Sequence, residues 1–569
     1  MQDKLEQAKE HHQAGRLHQA YALYREVIAA DTGNLEAIYH YGNLVRRVGT
    51  PEAARDIFAQ ALKLAPDEPL LHASMGEIHR DLGQQEQAIK SFFDAVRLNP
   101  ADFASLTNLG VIYQRRGELD RACEVLRQAV RARDDFSPAL NNLGIVLHRL
   151  GHQRGRPELI DEAIEILTRA TEIDPNNANA AANLAAAYLR LKKYDAAGKC
   201  SLRALGINPK QLVALDALSA SLVAVREFTQ ARDILEIAVG HYPGEVRLWQ
   251  RLAGIYYQEK QYYEAIQAFK QIAALRPDDM KPQLVLGSIC NEVSQFEDAV
   301  AAFRRAIELG ANYPSPYQGL GQALARLDRI DEARAAMEKG LSLNPEDETM
   351  RFAVAALADE AVDTAPEAYV TKLFDGFAAH FDEQLLEGLE YRTPELLSEA
   401  VRRVLEQGER KLTVVDLGCG TGLCGPHFRD ISGRLVGTDL SPKMIEKARE
   451  RGGYDELRAE SLEETLGKAD QDLDLAIAAD VFVYIGDLDP VFAAARLALK
   501  PRGLFAFSIE VTEDESFSVG TTFRFSHSHA YMSELARRHG FEVLIREAAI
   551  LRKESGKPVE GAIYVLRGQ

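Results

Sequence analysis

The stretch "VVDLGCGTGLCG", Val414 to Gly425, ends an apolar run with a carboxylate and a set of glycines. Gly420, Gly422 and Gly425 spell GxGxxG, a spacing that lets backbone amides approach a bound polar group closely. A nucleoside triphosphate loop needs GxxxxGK followed by Ser or Thr, and no lysine stands here. A dinucleotide would use the three glycines for turn, pyrophosphate approach and helix packing, with Asp439 at the ribose. Asp416, immediately before the glycines, sets a carboxylate where that pyrophosphate would lie, and like charges repel. A cationic ligand suits Asp416 better, and Asp439 in "VGTDLSPKMIEKA" can accept from both hydroxyls of a ribose.

These residues need a scaffold. From Leu412 onward, short apolar runs alternate with helical stretches: "LTVVDLG", "GRLVGTDL", "DLDLAIAAD", "GLFAFSI", "FEVLI" and "GAIYVL". Strands separated by helices predict an open α/β sheet that binds ligands at its strand carboxyl ends, with the glycine loop after the first strand.

The residues before it follow another rule. Gly76, Ala88, Phe92, Ala95 and Pro100 recur 34 residues earlier as Gly42, Ala54, Phe58, Ala61 and Pro66. They recur 34 residues later as Gly110, Ala122, Leu126 and Ala129, with Asp134 in place of the proline. A small helix-entry residue falls at Ala8, Gly42, Gly76, Gly110 and Gly144, then, after a shift of seven, at Ala185, Ser219, Ala253, Gly287 and Gly321, which makes ten repeats. The insertion "GHQRGRP", Gly151 to Pro157, accounts for the shift. Small residues let paired antiparallel helices approach, the Phe or Leu fills the gap, and proline ends the second helix.

This pattern resembles the tetratricopeptide repeat over residues 1–346. Such hairpins stack into an all-α superhelix with an extended concave surface. Asn108, Asn142 and Asn183 stand two residues before the helix-entry position in three consecutive repeats. This row resembles the asparagine ladder of O-linked N-acetylglucosamine transferase, a resemblance that implies binding of a protein or peptide through the groove. Trp249 and Tyr256 are expected in the core. Residues 347–410 are expected to cap and link, and Leu373, Phe374, Phe377, Phe381 and Leu385 share one helical face that can dock on the repeats or cover a pocket.

Residues 411–569 hold the "DLGCGTG" loop and the acid ending the next strand, which resemble class I S-adenosylmethionine-dependent methyltransferases. The resemblance, which begins near residue 366, implies a Rossmann-like α/β domain with a mostly parallel seven-stranded sheet. It implies S-adenosylmethionine as cofactor, which has an ammonium, a sulfonium and a ribose diol but no phosphate. Asp416, Gly418, Cys419, Gly420 and Gly422 would meet the methionine moiety and Asp439 the ribose. Leu440 and Met444 would flank the adenine, with Glu460 and Ser461 at its edge, while Ala479 and Asp480 would face the transferred methyl. Asp480 is the first candidate for touching an acceptor, followed by Tyr484 and by "FRFSHSHAY", where Arg524, His527, His529 and Tyr531 cluster; His527 is the candidate catalyst among these. The Asn/Asp-Pro-Pro-aromatic signature of enzymes acting on base amino groups is replaced by "AADV".

A formal net charge of -18 argues against DNA, RNA or anionic lipid as partner. Five scattered cysteines without CxxC pairs point to reduced thiols, and the polar start "MQDKLEQAKEHHQAG" to a cytoplasmic protein. No metal site is expected, since His527 and His529 make one HxH without further ligands. As a whole the chain resembles bacterial methyltransferases containing tetratricopeptide repeats, which implies methyl transfer to a protein or small molecule. A scaffold with a non-catalytic domain and a nicotinamide-dependent oxidoreductase are the competing readings.

Overall fold

The computed structural model describes residues 2–358, 360, 362–377, 391–405, 411–469, 471–554 and 557–569. Phe381 and Leu385 lie outside the described residues. The chain divides into two compact units, Met1–Leu275 and Arg276–Gln569. That division falls inside the repeats, so the last two hairpins fall in the same unit as the α/β domain.

The first unit is a run of antiparallel helix pairs from Gln2–Gln13 to Tyr262–Leu275. Its periodic glycines are explained by contact: a Cβ on Gly42, Gly76 or Gly110 would come within 2.5, 2.6 and 2.4 Å of Phe58, Phe92 and Leu126. The same pairing survives the insertion, where a Cβ on Gly144 would lie 2.4 Å from Leu167. The inserted residues lengthen one helix, Ser137–Arg154, which stops at Gly155 in the left-handed region at φ 60°, before Pro157–Ile173 begins. Trp249 and Tyr256 pack against the cluster of Leu215, Leu235 and Leu252, as expected.

In the second unit two further hairpins, Met280–Glu292 with Phe296–Glu308 and Pro314–Arg326 with Ile330–Leu343, are followed by a capping helix, Glu348–Leu357. The α/β domain then builds a seven-stranded sheet from β1 (Leu412–Leu417), β2 (Ser432–Asp439), β3 (Glu456–Ala459), β4 (Leu473–Ala478), β5 (Leu499–Glu510), β8 (Phe541–Glu554) and β9 (Lys557–Gly568). Its order is β3-β2-β1-β4-β5-β9-β8, and β9 runs antiparallel to both neighbours while the pairs from β3 to β5 are parallel. Strand direction and the reversal of order at β1 and β4 open a crevice at their carboxyl ends, where this topology binds ligands. A small hairpin, β6 (Phe517–Val519) and β7 (Phe525–His527), follows β5.

One face of the sheet buries Phe482, Phe492, Phe505 and Phe507, the other Leu397, Phe428, Leu475 and Ile563. Among the described residues, no helix is long and apolar enough to cross a membrane.

Candidate active site

A cavity of about 320 Å³ opens at the carboxyl ends of β1, β2 and β4. The glycine loop forms its floor. Gly418 and Gly420 take φ of 65° and 54°, in the left-handed region that side chains disfavour. A Cβ on Gly418 would also stand 2.6 Å from Val481, so this position admits no side chain without displacement.

Asp439, at the end of β2, accepts from the Gly420 amide at 3.0 Å and from the Ser441 amide at 2.8 Å. Each oxygen keeps a lone pair for a further donor, which suits a diol. Burial raises its carboxyl pKa, against the pull of those two amides. Ser441 caps the helix Pro442–Arg451 and donates to Asp375 at 2.6 Å, which ties the helix Glu367–Phe377 beside the ribose acid.

Asp416 is placed differently from the sequence expectation. It is buried beneath the loop and does not line the cavity. Its Oδ2 accepts from the Tyr454 hydroxyl at 2.6 Å, while Oδ1 has no hydrogen-bond partner among the described residues. Burial pushes this carboxyl up to about 7, against the Tyr454 bond that lowers it. The Tyr454 ring explains the later glycines: a Cβ on Gly422, Gly425 or Gly437 would lie 3.1, 2.8 and 2.9 Å from it. Gly422 and Gly425 therefore make room for a buried phenol.

Of the other expected cofactor residues, Cys419, Leu440, Glu460, Ser461 and Ala479 line the cavity. Glu460 is held by Lys468, Thr465 and Arg458; burial alone would raise its carboxyl, and these partners hold it low instead. Met444 is corrected: it is fully buried behind the helix cap and does not line the cavity, because the Ser441 cap turns that helix face into the core.

Asp480 and Tyr484 line the cavity. Asp480 takes φ 55°, and its carboxylate accepts from Ser508 at 2.8 Å and from Arg552 at 3.0 Å. Arg552, almost wholly buried in β8, also pairs with Glu510. Sequence reasoning missed Arg552, which stands in the charged end "RKE" of its strand and carries no signal of burial there.

His527 is corrected. It does not line the cavity; its Nε2 donates to the carbonyls of Ile485 and Gly486 at 2.9 and 3.0 Å, and burial pushes its pKa down to about 4. A neutral imidazole committed to two carbonyls braces a turn and has no proton to exchange with an acceptor. His529 bonds Tyr564 and Tyr531 bonds Asp487, so of the "FRFSHSHAY" candidates only Arg524 reaches the cavity.

The remaining wall comes from before the domain. Thr364 bridges to Ile485, and the Ala365 amide donates to the Tyr484 carbonyl at 3.0 Å. Phe374 stacks edge-on against Tyr484 with centroids 5.4 Å apart. The asparagine row sits on the first helices of its hairpins, half-buried; Asn108 accepts from Arg80 and Asn183 donates to Asn141.

Residues 415–505 match the family described as "Methyltransferase domain", and residues 11–78, 74–138, 159–222, 222–284 and 314–347 match tetratricopeptide repeat families. This is a tetratricopeptide-repeat chain with a methyltransferase domain. The domain's cofactor is S-adenosylmethionine. The chain is 31% identical over 98 residues to the ubiquinone biosynthesis O-methyltransferase of a Methylobacterium species, a match covering 16% of this chain and 39% of that protein. It is 31% identical over 100 residues to the malonyl-[acyl-carrier protein] O-methyltransferase of Acetivibrio thermocellus, covering 17% and 35%. The chain thus spans less than half the length of either relative. A 1,6-didemethyltoxoflavin-N1-methyltransferase from Burkholderia thailandensis aligns at 18% identity with a TM-score of 0.30, covering 37% of this chain and 93% of that one.

The methyltransferase domain fits its cofactor on structural grounds. It offers a loop whose Gly418 and Gly420 take left-handed φ and an acid with spare lone pairs for a diol.

Proposed function

We propose that the chain transfers the methyl group of S-adenosylmethionine to an oxygen acceptor, and that the repeats bring a protein partner or acceptor to the domain. The observation that carries this is one cavity shared by the glycine loop with Asp439 and by Asp480 with Tyr484. The bound cofactor supplies an electrophilic methyl on a good leaving group. The protein's part is alignment in a site shielded from water, which contributes on the order of 7 to 11 kcal/mol to such a displacement.

In this reading Gly418, Cys419 and Gly420 hold the methionine end, Asp439 the ribose, and Leu440, Glu460 and Ser461 the adenine. Asp480, fixed by Ser508 and Arg552, and Tyr484 would border the acceptor. A hydroxyl acceptor needs its proton removed, whereas a carboxylate does not. Oxygen is supported by the O-methyltransferase names of both relatives. Recruitment is supported by the general use of stacked repeats as peptide- and protein-binding surfaces, with Asn108, Asn142 and Asn183 as the proposed contacts.

Calorimetric titration of the full chain with S-adenosylmethionine and S-adenosylhomocysteine tests the cofactor half: both should bind, and Asp439→Ala should lose them. A folded protein that binds neither is a scaffold. For recruitment, replacing all three asparagines with alanine should lower methylation of a protein acceptor and leave cofactor affinity unchanged; unchanged methylation assigns the acceptor another route.

A further inference from the structure

We infer that the partner recruited through the repeats presents an extended acidic segment, held by a row of arginines, Arg115, Arg149 and Arg190, that runs beside the asparagine row; this rests on the recruitment reading above and names the class of its partner.

Three successive hairpins carry the same pair on their first helices. Asn108 and Arg115 stand on Phe103–Arg115, Asn142 and Arg149 on Ser137–Arg154, and Asn183 and Arg190 on Ala178–Arg190. Seven residues make two helical turns, about 10 Å along the axis with a drift of about 20°, so both rows lie on one face. The first helices pack on one another, and their side chains reach across. Asn183 donates to Asn141 of the helix before it at 2.9 Å, Arg149 donates to the Gln114 carbonyl of the helix before it at 3.4 Å, and Arg190 hydrogen-bonds His152. The asparagines are half-buried and the arginines exposed.

The charge on this face is one-sided. None of the three helices contains an aspartate or glutamate, although the whole chain has 85 of them against 67 lysines and arginines. Carboxylates stand on the second helices instead, as Glu158, Asp161, Glu162 and Glu165 do on Pro157–Ile173. Cations outside the row find such partners: Arg127 pairs with Glu162 at 2.7 Å and Arg154 with Asp120 at 2.6 Å. Among the described residues, Arg115, Arg149 and Arg190 make no ion pair. The helix dipole favours a cation in the last turn, which accounts for Arg115 and Arg190. It does not account for Arg149, which lies more than a turn before the end of its lengthened helix and keeps step with Asn142.

Packed helices lie about 8 to 10 Å apart, and a polyproline-type chain advances about 9 Å in three residues, bringing every third side chain to one side. A segment with an acid at every third position therefore sets one carboxylate before each arginine, whose planar fork presents paired donors to it. The neighbouring asparagines, which donate and accept, suit the backbone of the same segment.

The experiment uses the full chain and fluorescence anisotropy with labelled peptides of equal length built on Glu-Ala-Pro, Gln-Ala-Pro or Lys-Ala-Pro, and with oligothymidylate. The glutamate peptide should bind about thirtyfold tighter than the glutamine one, three exposed ion pairs at roughly threefold each, and the lysine peptide weakest. Combining Arg115→Gln, Arg149→Gln and Arg190→Gln should abolish that preference with the affinity for S-adenosylhomocysteine unchanged. The same three positions changed to lysine should keep part of it, which separates lost charge from lost folding. Alanine at Asn108, Asn142 and Asn183 should weaken the glutamate and glutamine peptides alike and leave their ratio intact. Equal binding of those two peptides, binding of neither, or a preference that survives the triple glutamine variant overturns the acidic partner. Oligothymidylate bound more tightly than the glutamate peptide overturns it in favour of a nucleic acid. A glutamate preference that the arginine variant abolishes while the asparagine variant changes neither affinity supports the arginine row and removes instead the asparagine contacts of the recruitment reading.

Discussion

The two ends of the cavity are built by opposite means. The cofactor end is made of backbone: Gly418 and Gly420 in left-handed conformations, two amides on Asp439, and a helix cap at Ser441, all within a short stretch of chain. The other end, where we propose the acceptor binds, is made of side chains from distant places: Thr364 and Phe374 before the sheet, Tyr484 after β4, Arg524 between β6 and β7, and Arg552 in β8. Backbone geometry tolerates almost no change, whereas a wall of side chains can be rebuilt residue by residue. A fixed cofactor and a changeable acceptor on one fold follow from that difference.

The comparison can be broken most forcefully at Arg552. Replacing it with methionine strands Asp480 and Glu510 without their buried cation, so the domain should lose about 3 to 5 kcal/mol, read from chemical denaturation; a loss below about 1 kcal/mol would show that water reaches the pair. Next comes Gly418→Ala. The left-handed φ and the Val481 contact should together cost about 2 to 3 kcal/mol of cofactor affinity, a weakening of roughly a hundredfold by calorimetry, with much less effect on acceptor-side probes.

Asp416 gives a pH test. Its folded pKa of about 7 lies above the unfolded value, so the folded state holds the proton longer. Stability should therefore fall as pH rises from about 4 to 7, by a slope approaching about 1.4 kcal/mol per pH unit from this group, and level off above. Asp416→Asn should remove that part of the slope; an identical pH profile would mean the carboxyl is not desolvated as described. Smallest is Phe374→Ala, which should cost about 0.5 to 1.5 kcal/mol in acceptor-side binding through the lost contact with Tyr484 and leave S-adenosylhomocysteine affinity within about twofold.

The same contrast decides what could be read from the sequence. The repeats were legible because most of the helix-entry glycines answer a large apolar side chain at one offset, as Gly76 answers Phe92, and the error of one unit is corrected by the next. The glycine loop and Asp439 were legible because their chemistry is local. Asp416 lies deeper than its sequence position suggests, because sequence places it beside the loop without revealing Tyr454, which comes 38 residues later and takes one of its carboxylate oxygens. His527 looked reactive by residue type, and only the converging carbonyls of Ile485 and Gly486 show it to be a brace. Strand β3 and the β6–β7 hairpin escaped notice because they are short, without an apolar run. Arg552 escaped because nothing in a strand's sequence tells which carboxylates the neighbouring strands will bring to it.

The bridge from Thr364 to Ile485 means that the polypeptide leaving the repeats becomes part of the wall before it enters the domain. An excised domain beginning after Pro366 would keep the loop, Asp439 and the adenine edge, and would lack a side of the chamber next to Tyr484. It could titrate normally with the methyl donor and still select its acceptors differently from the intact chain, so tight cofactor binding by such a fragment would be no guide to its substrate choice.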